Sequence, residues 1–365
     1  KYIIITRFKP LNDKELLIAT DGGGVHKINM DTYQIVPEIV ADYNSNCGMN
    51  GNSINDIFVD DEERIWLANY SIRITIQNNR YTGYKWIKHS IGNKQSLIND
   101  QVNAIIEDRD GDLWFATNNG ISFLNSKTGQ WRSVLSSFEE SQGNKSHIFL
   151  TVCEVAPGII WAGGYSSGAY QIDKKTFSVS YFMPPLYTHS NKRPDKYIRD
   201  IRTDMQGYIW SGGFYNLKRI NLKTQDVRFY DGLNSITAIV EKDEKSMWIG
   251  SAAGLCLLDK ESGKFERIKL PVESSYIYSL YQAKNGSLYI GTSGSGLLIY
   301  DVNKKLFTHY HSENCALISN NIYTILSDAD KDIIMSTESG LTSFYPEEKK
   351  FHNWTKDMGL MPPHF

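Results

Sequence analysis

Short apolar runs alternate with polar clusters along the whole 365-residue chain, and none sustains the roughly 3.6-residue period of an amphipathic helix. Segments such as Val102-Asn103-Ala104-Ile105-Ile106, Ile198-Arg199-Asp200-Ile201 and Ile277-Tyr278-Ser279-Leu280 read as strands. Each runs into a polar turn, for example Glu107-Asp108-Arg109-Asp110-Gly111, where Asp and Gly supply hairpin geometry. A second strand built around a large apolar residue follows. Its clearest copies are Asp112-Leu113-Trp114-Phe115-Ala116-Thr117, Ile160-Trp161-Ala162-Gly163-Gly164, Ile209-Trp210-Ser211-Gly212-Gly213 and Met247-Trp248-Ile249-Gly250-Ser251. The phrase returns eight times, anchored at Leu17, Trp66, Trp114, Trp161, Trp210, Trp248, Tyr289 and Ile334, with 38 to 49 residues between successive anchors.

Six or seven residues beyond the anchor stands a residue type that tolerates positive φ: Gly24, Gly120, Gly168, Asn216, Gly254, Gly296 or Gly340; the second unit has Ile72 there. A third strand then ends on Asn29, Asn125, Asp173, Asn221, Asp259 or Asp301, and a shorter, more polar fourth closes the unit, as in Leu306-Phe307-Thr308-His309-Tyr310. A repeat of this length with four strands and no helix predicts an all-β chain, a β-propeller of four-stranded blades whose faces are buried by stacking. Eight units favour eight blades; seven blades plus one unit of a neighbouring propeller is the alternative. The tryptophans read as wedges between blades, since buried aromatics dominate core energetics. The unbroken repeat makes residues 1–365 one segment, although length alone suggests two or three domains.

Composition narrows the function classes. The chain is 41% hydrophobic and 12% aromatic, enough for a core, and no run approaches the roughly 18 apolar residues of a membrane span. A net charge of −2 without long single-sign blocks excludes wholesale electrostatic binding to nucleic acid. Of four cysteines, Cys153 and Cys256 fall in strands as small core residues, whereas Cys47 and Cys315 lie in loops and pair only if folding brings those loops together. The scattered histidines and the absence of nucleophile, zinc or phosphate motifs imply neither catalysis nor a cofactor or metal. His309 and His311 share a strand face but suggest no third ligand, and Asp108-Arg109-Asp110-Gly111-Asp112 resembles the start of a calcium loop without its distal Glu, so it reads as a solvated turn. The chain begins without Met and inside a repeat, so a trimmed segment rather than a whole translation product is expected.

The runs Val102 to Ile121 and Gly286-Ser287-Leu288-Tyr289-Ile290-Gly291-Thr292 resemble the regulator-propeller repeat of hybrid two-component systems. The resemblance implies a periplasmic sensor for oligosaccharides, followed in its family by further sensor domains, a membrane helix and a histidine kinase, with no chemistry of its own. Gly359 to Phe365 resembles the lead-in to one more repeat. Two other classes remain open: a protein-interaction or homodimerisation propeller, and a propeller-fold lyase.

Strand order places the second-to-third turns and the links between units on one face, where loops are free to carry recognition. Three turns there are unusually large: Asn69-Tyr70-Ser71-Ile72-Arg73, Gly164-Tyr165-Ser166-Ser167 and Gly213-Phe214-Tyr215-Asn216-Leu217-Lys218. The link from Pro184 to Tyr197 adds Lys192, Arg193, Asp195 and Lys196. Candidate ligand contacts are therefore Tyr70, Arg73, Tyr165, Arg199, Tyr215, Asn216 and Lys218, with Arg199 alternatively inside an inner strand. Aromatic planes beside amides suit the C–H faces and polar edges of sugars, and the basic groups suit anionic ones; loop packing or a partner domain would use the same residues.

Overall fold

A computed structural model of the chain describes residues 4–41, 51–60, 64–70, 73–78, 87–137, 146–182, 196–328 and 332–355. Among these, every regular element is a strand. They form eight antiparallel meanders whose strands neighbour one another in sequence order, seven of four strands and one, the second, of three. The expected anchors all fall in second strands, as with Trp114 in Leu113–Thr117 and Trp210 in Tyr208–Gly213. The described residues divide into two compact bodies, one holding the first and second blades (up to residue 78) and one holding the third to eighth (from residue 87 to 354). The Ile72 position, Cys47, Lys192, Arg193, Asp195 and residues 359–365 lie outside the described residues.

The repeated phrase has a packing reason. Leu17, Trp114, Trp161, Trp210, Trp248 and Tyr289 are buried, whereas Trp66 and Ile334 are half-buried. Trp114 joins Phe149, Val152 and Ile160 of the next blade in one cluster, and in the smaller body Leu17 joins Ile54, Ile57 and Leu67 in the same way. Two residues past the anchor the chain must be small. A Cβ on Gly212 would lie 2.5 Å from Ile236 Cγ2, and one on Gly163 would lie 2.6 Å from Ile198 Cγ2. Both isoleucines open the first strand of the following blade. Gly212→Val is therefore expected to cost about 1–3 kcal/mol through overpacking, read as a lowered urea midpoint; an unshifted midpoint would show that the blades are not in close contact there.

Turn chemistry accounts for the rest of the repeat. Thr117 Oγ1 donates to the Gly120 carbonyl at 2.9 Å, and Gly120 holds φ 102°, where a Cβ would also press on the Val134 carbonyl oxygen. The same hydroxyl-to-glycine bond recurs at Thr20, Ser251, Thr292 and Thr337. Asn216 does not adopt a positive φ, so in the fifth blade the turn follows a different path. The Asn and Asp residues that end third strands cap the next turn: Asn125 Oδ1 accepts from the Thr128 amide at 2.8 Å, and Asp173 Oδ1 from that of Thr176 at 2.7 Å. Every first strand also carries a register shift near its start, where one residue leaves the ladder, and those of the fourth and sixth blades carry a second near their end.

Candidate ligand-binding face

Backbone bonds confirm that second-to-third turns and inter-blade links share a face. The Gly168 amide donates to the Lys196 carbonyl, that of Tyr165 to Ile148, that of Gly296 to Asn320 and that of Ser293 to Tyr276. Within the six-blade body this face gathers a chain of rings from two turns and a link. Tyr165 and Tyr197 have centroids 5.5 Å apart, Tyr197 and Phe214 6.4 Å, and Phe214 and Tyr215 5.1 Å, all edge to face. Tyr165, Phe214 and Tyr215 remain more than half exposed, at 54%, 54% and 53%. In the same two turns, Ser167 Oγ and Asn216 Oδ1 are buried and have no hydrogen-bond partner among the described residues. An unpaired buried polar atom costs on the order of 1–3 kcal/mol, and a bound hydroxyl would recover it.

Of the expected contacts, Tyr165, Tyr215 and Asn216 come together in this cluster. Arg199 is half-buried in the first strand Ile198–Thr203, but it is the residue that the bulge between Ile198 and Asp200 takes out of the ladder, at the end of the strand nearest this face. Lys218 is only 4% exposed, enclosed in the third strand Leu217–Asn221, so the exposed cation described beside the rings is Lys196. Tyr70, in the two-blade body, is 74% exposed at the end of Arg64–Asn69, next to buried Asn69, whose side-chain amide has no partner among the described residues. The Arg73 side chain lies outside the described residues. Sequence reasoning did not place Tyr197 in this ring cluster; its position directly before a first strand, between the rings of two flanking turns, was the available signal.

The opposite face overturns the reading of the aspartate-rich turn as solvated. Asp108 and Asp112 are buried and Asp110 is exposed, and the Lys174 ammonium lies 2.7, 2.9 and 2.7 Å from them respectively. These carboxylates are the one potential metal-binding group found among the described residues, and a protein cation stands among them. Asp108 also accepts the Trp114 indole N–H at 2.8 Å. Burial works against its charge, but Lys174, the indole and the amides of Asp110 and Asp112 outweigh it and hold its pKa below the ordinary aspartate value. Asp204 repeats the arrangement, accepting from Trp210 at 2.8 Å with buried Lys260 at 3.3 Å.

The remaining candidates for chemistry are engaged in structure. His309 and His311 have ring centroids 4.8 Å apart, and His309 Nε2 lies 2.6 Å from the Ser295 carbonyl oxygen. Burial pushes the Cys153 thiol up to about 11 and also raises that of Cys256, which suits inert core residues. Cys315 donates to the His311 carbonyl at 3.3 Å.

The family model described as two component regulator propeller matches residues 96–119 and 271–294. A histidine kinase of Formosa agariphila is 24% identical over 296 residues, a match spanning 73% of this chain and 20% of the kinase. Among solved structures, the extracellular domain of a putative hybrid two component system from B. thetaiotaomicron aligns with a TM-score of 0.76 at 21% identity, covering 99% of this chain and 47% of that one. A second such domain from the same organism gives 0.57 at 18%, covering 98% and 54%. Virginiamycin B lyase from Staphylococcus aureus gives 0.53 at 15%, covering 77% and 90%. At such identities the structural likeness speaks to fold. Meander blades with the regulator phrase recognised at two places make this chain a β-propeller carrying two-component regulator propeller repeats.

Proposed function

We propose that this chain is a ligand-sensing module in the periplasmic part of a hybrid two-component receptor, and that it reads an oligosaccharide without transforming it. Kinase chemistry belongs to parts of the polypeptide outside this chain. The repeat match and the likeness to receptor extracellular domains support the sensing role. The observation that carries the ligand class is the ring series of exposed Tyr165, Phe214 and Tyr215 joined through half-buried Tyr197, with two buried polar atoms without partners in the same turns. Sugars pair an apolar C–H face with directional hydroxyls and match both features. Lys196 and Arg199 bring positive charge to the same region, which favours an acidic sugar in that part of the ligand.

The test is an array of acidic and neutral oligosaccharides probed with the full chain, followed by calorimetric titration of the best binder. Tyr165→Ala and Tyr215→Ala are each expected to weaken binding about tenfold or more while leaving the melting curve in place, because exposed anchor rings carry binding energy rather than stability. Unchanged affinity in both variants would move the site away from these rings. Turnover of any saccharide would replace sensing by catalysis.

A further inference from the structure

The first strands of the seventh and eighth blades, Ile277–Gln282 and Ile322–Asp328, place a tyrosine in the same bulge. Tyr278 lies between Ile277 and Ser279 where the register shifts, and Tyr323 lies likewise between Ile322 and Thr324. A bulge removes one residue from the ladder and re-aims its side chain. In the third and sixth blades that side chain turns to the next blade: Asn103 Nδ2 donates to the Phe149 carbonyl at 2.8 Å, and Thr237 Oγ1 to that of Ile277. The two tyrosines instead meet each other, with centroids 5.1 Å apart and planes inclined by 59°.

Tyr276 adds a third ring, 5.0 Å from Tyr278 and 38% exposed. Its backbone is fixed, since its carbonyl accepts from the Ser293 amide at 3.0 Å and Ser274 Oγ donates to the Ser293 carbonyl at 2.9 Å. The adjoining turn Ser293-Gly294-Ser295-Gly296 carries only small side chains, and a Cβ on Gly294 would meet nothing within 4 Å. Tyr278 and Tyr323 are themselves half-buried, and Tyr276 is the exposed ring of the three. Beside them, Glu338 accepts from Asn321 Nδ2 at 2.8 Å. Burial first, and then the Glu338 charge, raises the pKa of the Tyr323 hydroxyl, which places the carboxylate within electrostatic reach of the ring cluster.

We propose that Tyr276, Tyr278 and Tyr323, with Glu338 and Asn321 at their edge, form a second carbohydrate subsite, one that takes a neutral pyranose ring. The rings supply stacking planes, the carboxylate accepts from sugar hydroxyls, and the amide offers both a donor and an acceptor. An acidic sugar would meet the Glu338 charge, in contrast to the Lys196 and Arg199 region. The inference rests on the oligosaccharide-sensing reading and adds to it a place and a charge preference.

The experiment titrates the full chain with maltohexaose, cellohexaose, mannohexaose and hexagalacturonate. A neutral hexasaccharide is expected to bind, Tyr278→Ala and Tyr323→Ala each to weaken it about tenfold or more, and Tyr278→Phe and Tyr323→Phe, which keep the ring, to stay within about threefold of wild type. The phenylalanine variants, joined by Glu338→Gln, which should also weaken binding, keep the test decisive if an alanine variant misfolds. Neutral-sugar binding indifferent to these substitutions overturns the subsite. Hexagalacturonate binding alone, dependent on Tyr165 and Tyr215, overturns it as well while leaving the sensing reading in place. Failure of all four saccharides counts against both, and concentration-dependent self-association abolished by Tyr278→Ala would reassign the rings to an interface between copies.

Discussion

Trp114→Ala and Trp210→Ala are each expected to destabilise the six-blade body by about 3–5 kcal/mol, the usual cost of deleting a buried large aromatic. Both side chains are fully buried. Trp114 packs 4.8 Å from Phe123 and 5.8 Å from Phe177, and Trp210 lies 5.2 Å from Tyr230. Each loss also strips a carboxylate of its indole donor, at Asp108 and Asp204. Trp66→Ala is the internal comparison: its ring is half-buried, although Asp60 accepts its N–H at 2.7 Å, so less apolar area leaves water on folding and the loss should be smaller. Urea unfolding followed by tryptophan fluorescence and circular dichroism measures all three. Transitions of Trp114→Ala and Trp210→Ala that overlay wild type would remove the wedge role and with it the reason for the repeated phrase.

How much of this was legible in the sequence depended on the range of the interaction. The anchor, the small residue two places on, the hydroxyl before the turn and the Asx cap all act within a few residues, so the repeat displays them directly. The Lys174 contact does not show, because its partner Asp110 lies 64 residues away and a single sequence gives no sign that the two turns meet. Lys218 was misjudged for a different reason. It was read as the end of a turn that starts at Gly213, but the third strand already begins at Leu217 and takes the side chain into the sheet, where it is buried. The bulges hid the second tyrosine group in turn. Skipping one residue shifts the face assignment of everything before it, and Tyr278 and Tyr323 then pass for ordinary strand residues.

Lys174→Ala should be about as damaging as losing a tryptophan, about 3–5 kcal/mol at neutral pH, because it leaves buried carboxylates without their cation. Asp108 and Asp112 have side-chain exposures of 0% and 6%, and Asp110 lies beside them with more freedom to reach water. The sign of the pH dependence separates this account from lost packing. In the wild type the Asp108 pKa is lowered, so its contribution is complete above the unfolded aspartate value of about 3.9 and fades as pH falls through the folded value. Asp243, lowered to about 2, fades in the same direction. In Lys174→Ala the unpaired carboxylates repel one another and are desolvated, so protonating one of them relieves strain, and the deficit should shrink as pH falls from 7 toward 4. Lys174→Met, which keeps the apolar stem, should show the same convergence, and Asp112→Asn in the Lys174→Met background should recover part of the loss at pH 7. A deficit that stays constant across that pH range would identify Lys174 as a packing residue and end the ion-cluster account of how the third and fourth blades are joined.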